Sequence, residues 1–304
     1  MRNIYCVGEL FIEFISDNGA DQLKDVQKFV MHAGGSPVYI TVAISRLGKD
    51  SSIIGQVGND IFGSFIKDTL ASENVNIDYL RTFGETTLAF VTLDDQGKRS
   101  FTLRKGTIPS QNQLVTELPF DESSIIHFGS ATAFLNKKLS ECYQELLQYA
   151  KDKVSFISFS PTYHSFLITK DNLESYIDNC WIFMRNANVI KLNAEEAMLL
   201  TNQEHLSGAI EQLILEKLPP ILITLGQQGT VLLMNGQYTQ IPAISVQEQE
   251  SPYANEAFVG GLLSKIAEQD KNDFNLSIWT EYIHFANVVS SLSLEQDGSI
   301  YSLP

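Results

Sequence analysis

The sequence predicts an α/β chain built on a central, mostly parallel sheet with helices on both faces. Short apolar runs alternate with longer stretches of helical periodicity, which is the pattern of successive βα units. Two stretches, residues 10–30 and 86–104, alternate with period two instead and stand outside that rhythm. The chain has 304 residues, 44% of them hydrophobic, with only 9 Pro and 19 Gly, enough to bury a large core without staples.

The elements follow in order. IYCVGEL (4–10) reads as a first buried strand, and residues 38–47 as a helix with Val38, Val42 and Leu47 on one stripe. SIIGQVG (52–58) is a second strand. Residues 61–73 form an amphipathic helix with Phe62, Phe65, Ile66 and Leu70 inward. Further short strands are read at 124–128, 154–159, 189–192 and 221–224, with helices at 139–150, 195–201, 207–216, 254–268 and 278–292. Residues 10–30 and 86–104, the latter with a hairpin turn at Asp95, Gln96 and Gly97, read as antiparallel strands. Two such insertions into a single domain spanning 1–304 would make a small β lid over a cleft.

Composition narrows the function. With 21 Lys+Arg against 36 Asp+Glu, the net charge of −15 repels phosphate backbones and anionic lipid surfaces, so neither nucleic acid nor membrane is an expected partner. No apolar run approaches the roughly 18–20 residues of a membrane span, and residues 1–10 do not read as a signal peptide. Cys6, Cys142 and Cys180 form no C-x-x-C pair and read as reduced, at least partly buried thiols of a cytoplasmic protein. The five histidines, His32, His127, His164, His205 and His284, lack ligand spacing, and no metal site is expected from the protein side chains.

Gly58–Asn59–Asp60–Ile61–Phe62–Gly63–Ser64 nearly spells a phosphate-binding loop but lacks its Lys, so it is not read as one. AGGSPVYITVAISRLG (33–48) places two glycines before a helix, where backbone can approach a ligand or simply make a tight turn. KLNAEEAMLL (191–200) sets Asn193 and Glu196 at a helix start. A carboxylate there orients a hydrated metal ion or complements the helix dipole. ITLGQQGTVL (223–232) is strand, turn and strand. In ESPYANEAFVGG (250–261), Ser251 suits an N-cap, Pro252 a first helical position and Glu256 the first turns of the helix.

In this order these segments, with CVGELFIEF, IGQVGNDIFGSF, HFGS and the tail FANVVSSLSLEQDGSIYSLP, resemble the ribokinase-like pfkB family of carbohydrate kinases, and its fructokinase branch most of all. The resemblance covers almost the whole chain. It implies a ribokinase-like fold and transfer of the γ-phosphoryl of ATP, with Mg²⁺, to a sugar hydroxyl. It also implies pairing of two copies through the β lid.

The family sets G-A-G-D at a helix start, with free backbone N–H groups facing the phosphoryl and the Asp as general base. This chain has Tyr253, Ala254, Asn255 and Glu256 there, so Glu256 replaces the base and the other three occupy the anion-hole positions. On the sugar side the resemblance places Glu13 where the family has Asp, Gly34 and Gly35, Tyr39 where it has Asn, and Arg104. The family's F-D-P-N-x-R reads Phe159 to His164, and its G-A-D reads Gly106, Thr107, Ile108. On the nucleotide side it places Asn193, Glu196, Thr224, Gly226 and Gly229, with Asn287 walling the adenine. Loss of sugar-binding polar groups and of both glycines implies impaired or lost phosphoryl transfer. The alternatives are an active kinase of unusual substrate with Glu256 as base, and a non-catalytic nucleotide- or sugar-binding regulator.

Overall fold

The computed structural model describes residues 2–17, 22–93, 99–107, 118–129, 132–243, 253–269, 274–293 and 303. In chain order the strands are β1 (Ile4–Val7), β2 (Phe11–Ser16), β3 (Phe29–Gly34), β4 (Ser51–Val57), β5 (Leu80–Thr82), β6 (Thr87–Leu93) and β7 (Arg99–Arg104), followed by β8 (Ile125–Gly129), β9 (Phe156–Ser160), β10 (Val189–Asn193), β11 (Ile221–Thr224), β12 (Thr230–Met234) and β13 (Gln237–Ile241). The helices are α1 (Ser36–Arg46), α2 (Ile61–Ser72), α3 (Lys137–Asp152), α4 (Leu173–Asn186), α5 (Ala194–Thr201), α6 (Leu206–Leu215), α7 (Ala254–Ile266) and α8 (Leu276–Leu292).

Nine of these strands form one sheet in the order β13-β12-β11-β10-β9-β8-β1-β4-β5, parallel from β5 through β11, with β12 and β13 antiparallel. Successive side chains of a strand point to opposite faces. Tyr5 and Val7 therefore enter the apolar layer of α3, α4, α5 and α6, whereas Ile4 and Cys6 enter that of α1, α7 and α8. This is the expected α/β architecture with helices on both faces. Strand order reverses at β1, with β4 and β5 on one side and β8 on the other. In such sheets the ligand crevice lies beyond the carboxyl ends of the strands at that reversal.

The lid is a separate four-stranded sheet in the order β3-β2-β6-β7. β2 pairs antiparallel with β3, and β6 with β7, but β2 and β6 run parallel, so the two insertions join side by side rather than as an all-antiparallel set. The turn expected at residues 95–97 lies outside the described residues.

The near-P-loop segment turns out to be an anchor for this lid. Asp60 caps α2 by accepting from the Gly63 N–H at 2.8 Å, and it also accepts from the Thr86 N–H at 2.8 Å and its hydroxyl at 2.7 Å, at the root of β6. Burial alone would raise the Asp60 pKa, but the N–H groups of Thr86 and Gly63 hold it below the usual value.

Other expectations shift. β9 begins at Phe156, not 154, because Val154 takes a left-handed φ of 57° in the turn after α3. α7 starts at Ala254 with Tyr253 as its N-cap residue; Ser251 and Pro252, read as cap and first helical position, lie outside the described residues. Helix α4 and strands β5 and β13 were not anticipated. All three cysteines are free and buried, as expected. Among the described residues no helix is long and apolar enough to cross a membrane.

Candidate active site

A cavity of about 360 Å³ opens where the strand order reverses, between the sheet and the lid. Glu9, after β1, and Glu13, on β2, line it together with Gly35, Ser36 and Tyr39 at the start of α1 and Tyr253 and Glu256 at the start of α7. Gln56 on β4, Phe101 and Leu103 on β7, Gly106 and Thr107 beyond it, and Thr162 and His164 beyond β9 complete much of the wall. Gln56 was missed in the sequence, where an amide near a strand end carries no motif.

Two glycines let the acidic side of this site form. Gly35 has φ +110°, and a Cβ there would lie 2.2 Å from the Glu9 carbonyl oxygen. A Cβ on Gly34 would meet the Glu13 side chain at 2.6 Å, so Gly34 supports Glu13 from behind.

Glu13 is buried, and two tyrosines satisfy it: the Tyr39 hydroxyl donates to its Oε2 at 2.9 Å and the Tyr253 hydroxyl at 3.2 Å. Their rings lie 4.1 Å apart at 32°. Burial and the facing carboxylate hold the Tyr39 phenol well above its usual pKa, so it stays a donor. Tyr253 thus turns its ring inward to the sugar-side carboxylate.

Glu256 accepts from the Ser36 hydroxyl at 3.2 Å through Oε1, while its buried Oε2 has no hydrogen-bond partner among the described residues. Burial raises its pKa, and the Lys191 ammonium opposes the rise. Lys191, on β10, is itself buried and donates to Asn255 Oδ1 at 2.7 Å; the Thr224 hydroxyl lies 3.3 Å from the same oxygen. The Asn255 carboxamide therefore bridges β10 and β11 to the N-terminus of α7, next to Ala254.

Other predicted residues have different surroundings. Arg104 lies on the far face of the lid: it pairs with Leu88, is exposed and does not line the cavity, whereas the period of two sends Phe101 and Leu103 inward. Asn193 and Glu196 form a capping box on α5, with Asn193 Oδ1 accepting from the Glu196 N–H at 2.8 Å and Glu196 Oε2 from the Asn193 N–H at 2.7 Å. The Tyr163 N–H takes the other Glu196 oxygen at 2.9 Å. Asn287 is buried, accepting from the Thr230 hydroxyl at 2.9 Å and donating to the Pro242 carbonyl at 3.3 Å. Gly229, at φ +88°, makes the turn into β12, and a Cβ there would strike the Ile241 carbonyl oxygen at 2.1 Å. A Cβ on Gly226 would meet open space, so Thr224 and Gly226 leave a clear surface beside the α7 N-terminus.

A directly ligated metal does not fit these residues. Among those described, no three His, Cys, Asp or Glu side chains group to hold an ion, and both Glu196 oxygens accept backbone N–H groups.

The pfkB family carbohydrate kinase model matches residues 1–304. The chain belongs to that family. It is 30% identical over 315 residues to "Probable fructokinase-6, chloroplastic" of Arabidopsis thaliana, covering 99% of this chain and 79% of that protein. A Pyrococcus horikoshii sugar kinase solved in complex with ATP is 28% identical, with a TM-score of 0.82 and 99% and 95% of the two chains covered. The Vibrio cholerae fructokinase solved with fructose, ADP and calcium shares the ribokinase-like fold at a TM-score of 0.87 and 23% identity, over 100% of this chain and 96% of that one. The chain is thus a fructokinase-like pfkB member.

Proposed function

We propose that this pfkB member retains a ligand-binding cavity at the sugar position while its phosphoryl transfer to a sugar hydroxyl is impaired or lost. The observation that carries this reading is Tyr253. Its hydroxyl and that of Tyr39 hold Glu13, and their rings lie against one another at 4.1 Å. Both phenols occupy Oε2, so a sugar hydroxyl that took that oxygen would displace a hydrogen bond, at a cost of about 1–3 kcal/mol. Beside it, the Asn255 side chain stands where the family leaves backbone N–H groups open to the phosphoryl. Removing one oxyanion-hole donor typically costs roughly 10²–10³ in rate. The nucleotide reading rests on the open surface at Thr224 and Gly226 and on the Pyrococcus horikoshii relative solved with ATP.

One observation favours a second reading, an active kinase of unusual substrate: Glu256 lines the cavity with an unpartnered oxygen. Its pKa, raised by burial, moves toward the range a general base needs. ADP release with MgATP over a panel of hexoses, pentoses and nucleosides separates the two. No sugar-dependent release is expected from the folded protein. Release that disappears in Glu256→Gln would establish the second reading instead.

A further inference from the structure

The polar wall of the cavity is rich in carboxylate and amide acceptors. Glu9, Glu13, Gln56 and Glu256 all line it. The Gln56 amide nitrogen donates to the carbonyls of Phe83 at 3.3 Å and Thr107 at 3.2 Å, which fixes the orientation of the amide. Its Oε1 is then buried without a partner among the described residues, as is Glu256 Oε2. Three hydroxyls of the lining are already committed, both tyrosines to Glu13 and Ser36 to Glu256, and the Thr132 hydroxyl donates to Glu9, while Thr107, Asn136 and Thr162 add further polar groups to the wall. Buried acceptors left unpaired are costly, and a donor entering the cavity relieves them.

Charge points the same way. The lining carries three carboxylates against Lys105, which is exposed. Lys191 is not part of the lining; it is tied to Asn255 on the far side of Glu256. The opposite wall is apolar, with Phe101 stacked on Phe166 at 4.6 Å beside Leu103, Leu135 and Leu139. A neutral hexose brings no charge to answer the three carboxylates of the lining. An ammonium group brings three donors, no acceptor and a positive charge.

We propose that this cavity takes a small amine-bearing polyol, with Glu256 and Gln56 receiving its N–H and O–H groups and the Phe101 wall covering its C–H face. The inference rests on the reading that this cavity is the ligand site.

Calorimetry on the full chain at neutral pH and low salt tests it with matched probes: 1-amino-1-deoxy-D-fructose against D-fructose, and D-glucosamine against D-glucose, with N-acetyl-D-glucosamine as the uncharged amide. In each pair the amine is expected to bind at least about tenfold more tightly than its neutral parent, as charge-assisted bonds outweigh neutral ones. N-acetyl-D-glucosamine is expected to fall with the neutral parents. Glu256→Gln, which keeps the shape and removes the charge, should shrink the amine preference severalfold. Gln56→Met should weaken the amines on its own, covering the case in which Glu256→Gln fails to fold. Equal affinity within each pair would overturn the amine inference and leave the ligand site standing. No heat from any probe would overturn both. An amine preference untouched by either variant would overturn the assignment to Glu256 and Gln56.

Discussion

Two phenols donate to the buried side chain of Glu13, and the same residues line the cavity. Removing one donor tests those bonds. Tyr253→Phe is expected to lower stability to urea by about 1–3 kcal/mol, because one hydrogen bond is lost and no water replaces it; an unchanged midpoint would mean that Tyr253 does not hold Glu13. His127, fully buried on β8 with Nδ1 3.0 Å from the Ser158 hydroxyl, has its pKa lowered to about 3, first by burial and then by Lys191. The unfolded chain takes up a proton near pH 6.5 and the folded chain does not. The contribution of His127 is therefore complete above pH 6.5 and is lost as pH falls toward 3. Glu256 has the opposite sign. Its folded pKa is raised above 4.5, so its contribution is complete below that pH and is lost as pH rises through the folded value. Denaturation curves between pH 4 and 8 are expected to lose the fall in stability below pH 6.5 in His127→Asn and the fall that begins as pH rises above 4.5 in Glu256→Gln. At this scale the sequence showed which residue types replace the family's glycines, but not that Tyr253 turns toward Glu13, because residues 13, 39 and 253 meet only through the tertiary fold.

Among the elements, legibility followed periodicity. The long amphipathic helices and buried parallel strands were readable because their apolar spacing is regular. β13 was not, since four of its five side chains are exposed on an edge strand. β5 has three residues, too few to alternate. α4 carries a real stripe in Tyr176, Cys180 and Phe183, diluted by polar neighbours and preceded by an irregular segment. The lid strands were found, but Arg104 was set on the wrong face, because a cation beside a cleft is attractive on chemistry while the register of β7 with β6 decides where it points. The lid root gives a prediction of its own. Asp60→Ala removes the α2 cap and both bonds to Thr86, and is expected to cost about 1–2 kcal/mol and to speed amide exchange in β6. Exchange in β6 that stays at the wild-type rate would show that Asp60 is a helix cap alone.

For the whole molecule, the reversal of strand order at β1 brings β2, α1, β4 and the start of α7 to one end of the sheet. It thereby gathers residues separated by more than two hundred positions around one cavity, as the 220-residue span of the Ser36–Glu256 bond illustrates. The pfkB family model matches the full chain, and the proposed function rests on the changes that the resemblance implies at the start of α7 and in the residues that line the cavity. The central claim is that these changes silence transfer, and ADP release tests it most directly. The pure, folded chain is given MgATP with the sugar and nucleoside panel, the amine-bearing probes included, beside Glu256→Gln. The account predicts release at the level of the blank for both proteins. A sugar-dependent rate in the wild type that vanishes in Glu256→Gln would contradict it and make Glu256 the working base.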